Sequence, residues 1–251
     1  MSKGSNGHKR RRRRRTVGSK IMVLILSGAL LIGSMIGGTL AWLTAKTNEV
    51  SNVFTTSDIS ITLQEHTYNA DEDKLTSTET IVGVNNYKMI PGWTIPKDPW
   101  LTVKANSEDC YLFIKVEEKG GSVTVEGKNC TFDDFIDYAI DPNNWEPLTD
   151  TDGNVVDDVY IYKSIYRTTD KDSDIKILGY YNGDKTGMNF VPNTVLVKDT
   201  VTKEMMNVLK NSGESNLPTL TFTAYASQYW KNNDTPFKPY EAWNNVNPST
   251  P

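Results

Sequence analysis

Histidine is scarce in this 251-residue sequence, which limits the hydrolytic chemistry that its side chains could carry out. His8 lies in a basic N-terminal region, and His66 lies in the sequence QEHTYN. A zinc protease of the H-E-x-x-H type needs two histidines on one helix face, so the chain cannot build that site. No G-x-S-x-G motif is present, and a Ser-His-Asp triad would have to use His66. We therefore predict no catalytic residues, and we expect His66 to be a surface residue at a strand end.

Clustered acidic side chains offer a different chemistry, the binding of a cation. The segment DTDGNVVDD, residues 150–158, places Asp150, Asp152, Asn154 and Asp157 close together on one loop. Calcium prefers such clustered oxygen ligands, so a weak calcium site is one interpretation of this segment. The spacing differs from that of an EF-hand loop, and Asp-Gly is common in turns, so a solvated turn is the other interpretation. Apart from calcium, the sequence predicts no cofactor.

The two cysteines of the chain, Cys110 and Cys130, are nearly symmetric about the dipeptide Gly120-Gly121. Two adjacent glycines favour a hairpin turn, and a hairpin here would bring the cysteines onto neighbouring strands. If the chain works outside the cytoplasm, such an even pair of cysteines predicts a disulfide. A shift of one residue in the pairing would set Cys110 opposite Thr131, so two buried free thiols are the alternative.

Two of the six tryptophans, Trp93 and Trp100, lie in the segment IPGWTIPKDPW, residues 90–100. Proline cannot donate a hydrogen bond to a central strand, so this segment is predicted to be an edge, a turn or a bulged connection. Tryptophans exposed on such a loop would suit a carbohydrate platform. Packing in the core or at a sheet edge is the alternative.

Residues 1–41 have the pattern of an export signal, with nine basic and no acidic side chains. A basic run at residues 9–15 precedes residues 21–45, which carry no charge. Basic residues followed by an apolar stretch and small residues are typical of a secretory signal peptide. The apolar stretch is also long enough to remain as a membrane anchor, since about 20 residues span a bilayer. Both interpretations place the rest of the chain outside the cytoplasm, secreted or at the cell surface.

Small residues define the predicted cleavage site of this signal. Thr39 and Ala41 occupy the −3 and −1 positions of a cut that leaves Trp42 as the first mature residue. The mature part, residues 42–251, has 18 basic and 31 acidic side chains and a formal net charge of −13. Nucleic acid is therefore not an expected partner, because phosphate contacts need lysine and arginine. The expected membrane contact is transient and belongs to export.

The mature part reads as one mainly β domain, because short apolar stretches alternate with turn signals every 8–15 residues. Alternation is clear in residues 110–118, where Cys110, Leu112, Ile114 and Val116 would share one face. Residues 69–80 and the tail after Lys231 are predicted to be loops. Strands are predicted at residues 53–63, 101–103, 110–118, 123–126, 159–167, 175–181, 194–197 and 217–230.

Two short helices are predicted between these strands from the spacing of apolar residues. The first follows Thr131, which with Asp134 resembles a capping pair, and its apolar positions are Phe132, Phe135, Ile136 and Ala139. The second has its apolar positions at Val201, Met205, Val208 and Leu209. We expect it to stop at Gly213.

Three segments together resemble the TasA/camelysin-like family of proteins exported through a SipW-type signal peptidase. Residues 37–63 resemble the family's signal and first strand, with the Gly-Gly-Thr-x-Ala ending and the Asn-x-Phe motif at Asn52 and Phe54. Residues 87–118 resemble its Pro-Gly turn, lysine-rich strand and core strand. Residues 218–230 resemble its terminal strand with the Thr-Ala-Tyr-Ala-x-Gln pattern.

The resemblance implies a jelly-roll-like antiparallel β-sandwich secreted by a gram-positive bacterium. It also implies a signal peptidase of the SipW type as a partner and a biofilm-matrix or fibre role through self-association. In such fibres an N-terminal segment, here residues 42–54, adds as a strand to the next subunit. A cell-surface binding module for glycan or protein and a camelysin-like metallopeptidase are the alternatives. No peptidase residues can be transferred to this sequence.

Overall fold

A computed structural model describes residues 59–69, 71–81, 83, 85–183, 189–232 and 234–247. The predicted signal peptide, its cleavage site at Thr39, Ala41 and Trp42, and the segment 42–54 all lie outside these residues. Across the described ranges, no helix is long and apolar enough to cross a membrane.

Two four-stranded antiparallel sheets form the β-sandwich that the sequence predicted. The first sheet has the order β12-β4-β1-β2 and the second has the order β10-β11-β5-β16. The strands of the first sheet are β1 (Ile61–Asn69), β2 (Lys74–Ile81), β4 (Trp100–Val103) and β12 (Ser173–Lys176). Those of the second are β5 (Cys110–Lys119), β10 (Trp145–Thr149), β11 (Val155–Tyr162) and β16 (Thr219–Gln228).

Smaller elements complete the fold. Three helices are described: α1 (Phe132–Phe135), α2 (Lys203–Asn211) and α3 (Pro239–Val246), and a 3-10 turn spans Glu214–Asn216. Strands of the two three-stranded sheets are β3 (Thr94–Pro96), β8 (Ile136–Asp137), β9 (Ala139–Ile140), β13 (Leu178–Tyr181), β14 (Phe190–Pro192) and β15 (Thr194–Val197). Two-stranded ladders join β6 (Val123–Val125) to β7 (Lys128–Cys130) and β17 (Trp230–Asn232) to β18 (Thr235–Pro236).

β5 sits at the centre of the packing because both of its faces are buried. Cys110, Leu112 and Ile114 point into the core between the sheets, as their alternation predicted. Tyr111 and Phe113 point the other way, into a second apolar cluster that helix α3 covers. The ten pairs from Thr219↔Lys119 to Gln228↔Cys110 fix β16 against β5 without a shift in register.

The predicted hairpin at Gly120-Gly121 is wrong. β5 pairs with β11 and β16, and the expected return strand β6 pairs instead with β7. A Cβ on Gly120, whose φ is +74°, would lie 2.2 Å from the carbonyl oxygen of Leu217. These glycines therefore let the chain pass close to the residues before β16, rather than turn back on β5.

Two segments predicted to be loops are regular. The polar stretch within residues 69–80 contains β2, an edge strand beside β1, and edge strands tolerate polar side chains. The tail after Lys231 contains α3, where Glu241 accepts a hydrogen bond from the backbone N–H of Lys238 at 3.2 Å. Pro239 in its first turn was the missed signal, because proline is favoured there.

Helix and strand boundaries also differ from the predictions in places. Helix α1 is a single turn, and Ile136 and Ala139, predicted to be helical, lie in strands β8 and β9. Helix α2 agrees with its predicted pattern, with Met205 and Leu209 buried and Gly213 at φ +98° just after it. Residues 175–181, predicted as one strand, belong to β12 and β13 in different sheets.

Candidate functional site

His66 lies inside β1, so the prediction of a surface residue at a strand end is wrong. Its Nδ1 atom is 2.7 Å from Oδ2 of Asp98, and its backbone N–H donates to Oδ1 of the same carboxylate at 3.1 Å. The imidazole also packs on Trp100, with 4.8 Å between ring centroids. With 30% of its side chain exposed, His66 is held by β4 and the residues before it.

A second polar group is centred on the neighbouring residue. The Glu65 cluster consists of Glu65, Asn85, Tyr87 and Lys97. Lys97 Nζ lies 2.8 Å from Oε2 of Glu65, while Oε1 accepts hydrogen bonds from Asn85 Nδ2 at 2.5 Å and from the Tyr87 hydroxyl at 3.2 Å. Glu65 is 7% exposed and Lys97 is 8% exposed. A buried ion pair needs such additional hydrogen bonds to offset the desolvation of its charges.

Asn85 connects this cluster to the backbone of β1. Pairing between β1 and β4 ends at Gln64↔Trp100, and side chains satisfy backbone groups of β1 beyond that point. Asn85 Oδ1 accepts the backbone N–H of Tyr68 at 2.9 Å, and its Nδ2 donates to the carbonyl of His66 at 2.9 Å. The amide is therefore held at both its oxygen and its nitrogen.

Aromatic rings surround the amine of Lys97. Nζ lies 5.2 Å from the centroid of Tyr87 and 5.9 Å from that of Phe222. Burial raises the pKa of the Tyr87 phenol, and the nearby Glu65 carboxylate adds to this effect, so the hydroxyl keeps its proton and remains a donor. The Glu65 cluster thus combines a buried amine, a buried carboxylate and a half-buried carboxamide.

Sequence patterns could have pointed to one member of this cluster. Ile61, Leu63 and Glu65 alternate along β1, so Glu65 occupies an inward-facing position that a charged residue rarely takes without a partner. Its partners Asn85 and Lys97 lie 20 and 32 residues further along the chain. No local spacing connects them, and only the fold brings them together.

The arrangement at His66 supplies two of the three groups of a Ser-His-Asp triad, the imidazole and its orienting carboxylate. Among the described residues, no serine, threonine or cysteine side chain is hydrogen-bonded to the His66 ring. The same residues contain no group of three or more His, Cys, Asp or Glu side chains that could hold a metal ion.

Cys110 and Cys130 are both buried and carry free thiols, which is the alternative to the predicted disulfide. Cys110 pairs with Gln228 of β16 and bridges to Tyr166, whereas Cys130 pairs with Val123. The expected pairing failed because it depended on the hairpin at Gly120-Gly121. Burial raises the pKa of the Cys110 thiol to about 12.

Three of the four candidate calcium residues, Asp150, Asp152 and Asn154, lie at the exposed turn between β10 and β11. The carboxylate of Asp150 accepts the backbone N–H groups of Asp152 and Asn154, at 2.8 and 2.9 Å, and the side-chain amide of Asn154 at 3.1 Å. Asp157 is apart from this turn, within β11. The described geometry is that of a turn closed by an aspartate, and calcium binding stays a prediction.

The two tryptophans of the proline-rich segment differ in exposure. Trp93 is 54% exposed, at a turn closed by its backbone N–H donating to the carbonyl of Ile90 at 3.0 Å. Trp100 is half-buried in β4 and donates its indole N–H to the Thr102 hydroxyl at 3.1 Å. The segment forms a turn and the edge strand β3, as predicted. Of the two, Trp93 is the more exposed.

Comparison with protein-family models, with curated proteins and with solved structures found no match to this chain.

Proposed function

We propose that this chain is a non-enzymatic structural protein of the extracellular matrix of a gram-positive bacterium, a fibre subunit that assembles by N-terminal strand exchange. The export signal, the mature net charge of −13 and the resemblance to TasA-like proteins support this role. The observation that carries it is the open β-sandwich, whose sheets end in edge strands.

β16 is the longest of these edge strands. It pairs with β5 along ten residues. The outer side of an edge strand presents backbone N–H and C=O groups to an incoming strand. Residues 42–54 of a second copy, which are long enough to match ten residues, are the proposed occupant.

Electron microscopy of residues 42–251 and of residues 55–251 tests this proposal. Filaments are expected only from the longer protein, because the shorter one lacks the strand to donate. A third protein with the order of residues 42–54 scrambled separates sequence from mere length, and it is expected to stay dispersed. Monodisperse particles from residues 42–251 under all assembly conditions, with any co-secreted partner supplied, would overturn the proposal.

A cell-surface binding module for glycan or protein is the second candidate, and the exposed indole of Trp93 favours it. Exposed aromatic rings supply contact area to ligands at little cost in conformational entropy. Trp93→Ala is expected to abolish retention on immobilised cell-wall glycan, while Trp230→Ala, at the other exposed tryptophan, leaves it unchanged. Failure of the unaltered protein to bind glycan or any surface protein removes this candidate.

A further inference from the structure

Two reactive groups of the Glu65 cluster share one carboxylate. The amine of Lys97 lies 2.8 Å from Oε2 of Glu65, and the amide nitrogen of Asn85 lies 2.5 Å from Oε1. A carboxylate in this position can accept a proton from the amine and deliver one to the amide nitrogen. Proton transfer by a group within hydrogen-bond distance is general acid–base catalysis.

The carbonyl of the Asn85 amide is already polarised. Its oxygen accepts the backbone N–H of Tyr68 at 2.9 Å, so a negative charge that develops there during nucleophilic attack is stabilised. The amide nitrogen donates to Glu65 and to the carbonyl of His66, which fixes the orientation of the group. The leaving nitrogen therefore faces the proton donor, and the oxygen faces a hydrogen-bond donor.

The amine and the carboxylate are both shielded from water. Lys97 and Glu65 are less than a tenth exposed, and the rings of Tyr87 and Phe222 lie beside the amine. The amine is nucleophilic once Glu65 has taken its proton, and burial keeps water away from both groups.

We propose that Lys97 and Asn85 form an intramolecular isopeptide bond and that Glu65 transfers the protons. The Lys97 ammonium gives a proton to Glu65, and the Nζ lone pair then attacks Cγ of Asn85. The bond between Cγ and Nδ2 breaks as Glu65 returns this proton to the departing nitrogen, and the released ammonia takes up the second proton that Nζ loses. A lysine ammonium and an asparagine carboxamide thus become a secondary amide and an ammonium ion, without oxidant or co-reactant. Glu65 ends in its starting state.

The bond would close the chain between residues 85 and 97 into a ring that contains the turn at Ile90–Trp93 and strand β3. A cross-link stabilises a fold mainly by reducing the entropy of the unfolded chain. This ring would pin the turn that presents Trp93 and join it to β1 through Glu65. Such a cross-link would protect a protein that works outside the cell against unfolding and proteolysis.

Mass spectrometry of the folded full chain, kept for days at neutral pH, tests the proposal. The intact protein is expected to be lighter than its sequence by one ammonia, and a digest is expected to contain a branched peptide joining residues 85 and 97. The branched peptide is the decisive observation. The intact mass alone is not, because Asn182-Gly183 can also lose ammonia by cyclising on its own backbone. Separate peptides with unmodified Asn85 and Lys97 overturn the proposal.

Variants assign the roles of the three residues. Lys97→Arg keeps a cation beside Glu65 and is expected to show only unlinked peptides. Glu65→Gln keeps the shape of the side chain and is expected to reduce the linked fraction at least tenfold. Asn85→Asp is expected to form the link as well, with loss of water in place of ammonia. Lys104→Arg, at an exposed ion pair with Asp172, is the control and should link fully.

Circular dichroism confirms that each variant is folded before its mass is interpreted. If Glu65→Gln links as completely as the unaltered chain, the proposed role of Glu65 is wrong. If it does not fold, the unaltered protein and Lys97→Arg still decide whether the bond exists.

Discussion

At the scale of single residues, two ion pairs of this protein differ in how strongly their charges affect stability. Two lysine–carboxylate pairs have almost the same length, 2.8 Å for Lys97–Glu65 and 2.9 Å for Lys104–Asp172. The side chains of the first pair are 10% exposed, whereas those of the second are 42% and 50% exposed. Water screens the charges of the second pair. Removal of one partner should therefore lower stability much more at the buried pair than at the exposed one.

Relative to protein that is not cross-linked, Lys97→Met should lower the free energy of unfolding by about 3–5 kcal/mol, because it leaves the Glu65 carboxylate buried without its cation. Loss of the proposed isopeptide bond acts in the same direction. Lys104→Met is the matched control, with an expected change of about 0–1 kcal/mol. Urea unfolding followed by fluorescence measures both values. Equal effects of the two substitutions would contradict the assignment of Lys97 to a buried pair.

Cys110 should be unreactive in the folded protein. Burial raises the pKa of its thiol to about 12, so at pH 8 the nucleophilic thiolate is a negligible fraction. Iodoacetamide is expected to label both Cys110 and Cys130 at pH 8 in urea without reductant, and to spare them in native buffer. Labelling that needs a reductant would show that the two cysteines form a disulfide after all.

At the scale of elements, the sequence predicted correctly those features that depend on a single segment of the chain. The alternation along β5 and the apolar spacing of α2 are properties of a single segment, and both predictions are confirmed. The partner of β6 is not such a property, because Gly120 and Gly121 can serve a hairpin or a close approach of two chain segments equally well. The same limit applies to Glu65, whose inward position was readable while its partners were not.

Helix α3 is the element that the sequence patterns failed to predict. Its composition, rich in asparagine, predicted a loop, yet Ala242, Trp243 and Val246 are buried against the outer face of the second sheet. Trp243 packs on Phe113 and Tyr225, with ring centroids 5.4 and 5.1 Å apart. Without this helix, β5 would expose one of its two apolar faces.

Trp243→Ala should therefore destabilise the protein by about 3–5 kcal/mol, the usual range when a buried tryptophan is truncated. Trp230→Ala removes a side chain that is 42% exposed, and we expect it to change stability by about 0.5 kcal/mol. Chemical denaturation of the two variants gives the comparison. A small effect of Trp243→Ala would mean that α3 is not required to cover the second sheet.

At the scale of the whole molecule, charge and fold act in opposite directions on assembly. Residues 42–251 carry a formal net charge of −13, which keeps separate copies apart in solution. Strand addition at a sheet edge would bring copies into contact through backbone hydrogen bonds, which are local and nearly independent of salt. Repulsion therefore has a longer range than the attraction that the proposed fibre needs.

Fibre growth from residues 42–251 should accordingly be slow at low ionic strength and faster at physiological salt. The screening length falls from about 30 Å at 0.01 M to about 8 Å at 0.15 M, so repulsion between whole subunits fades while the strand contact persists. Light scattering with electron microscopy follows growth across this range, and residues 55–251 serve as the control for nonspecific salting-out. Growth that is fastest at low salt would mean that opposite charges on neighbouring subunits, rather than added strands, hold the fibre together.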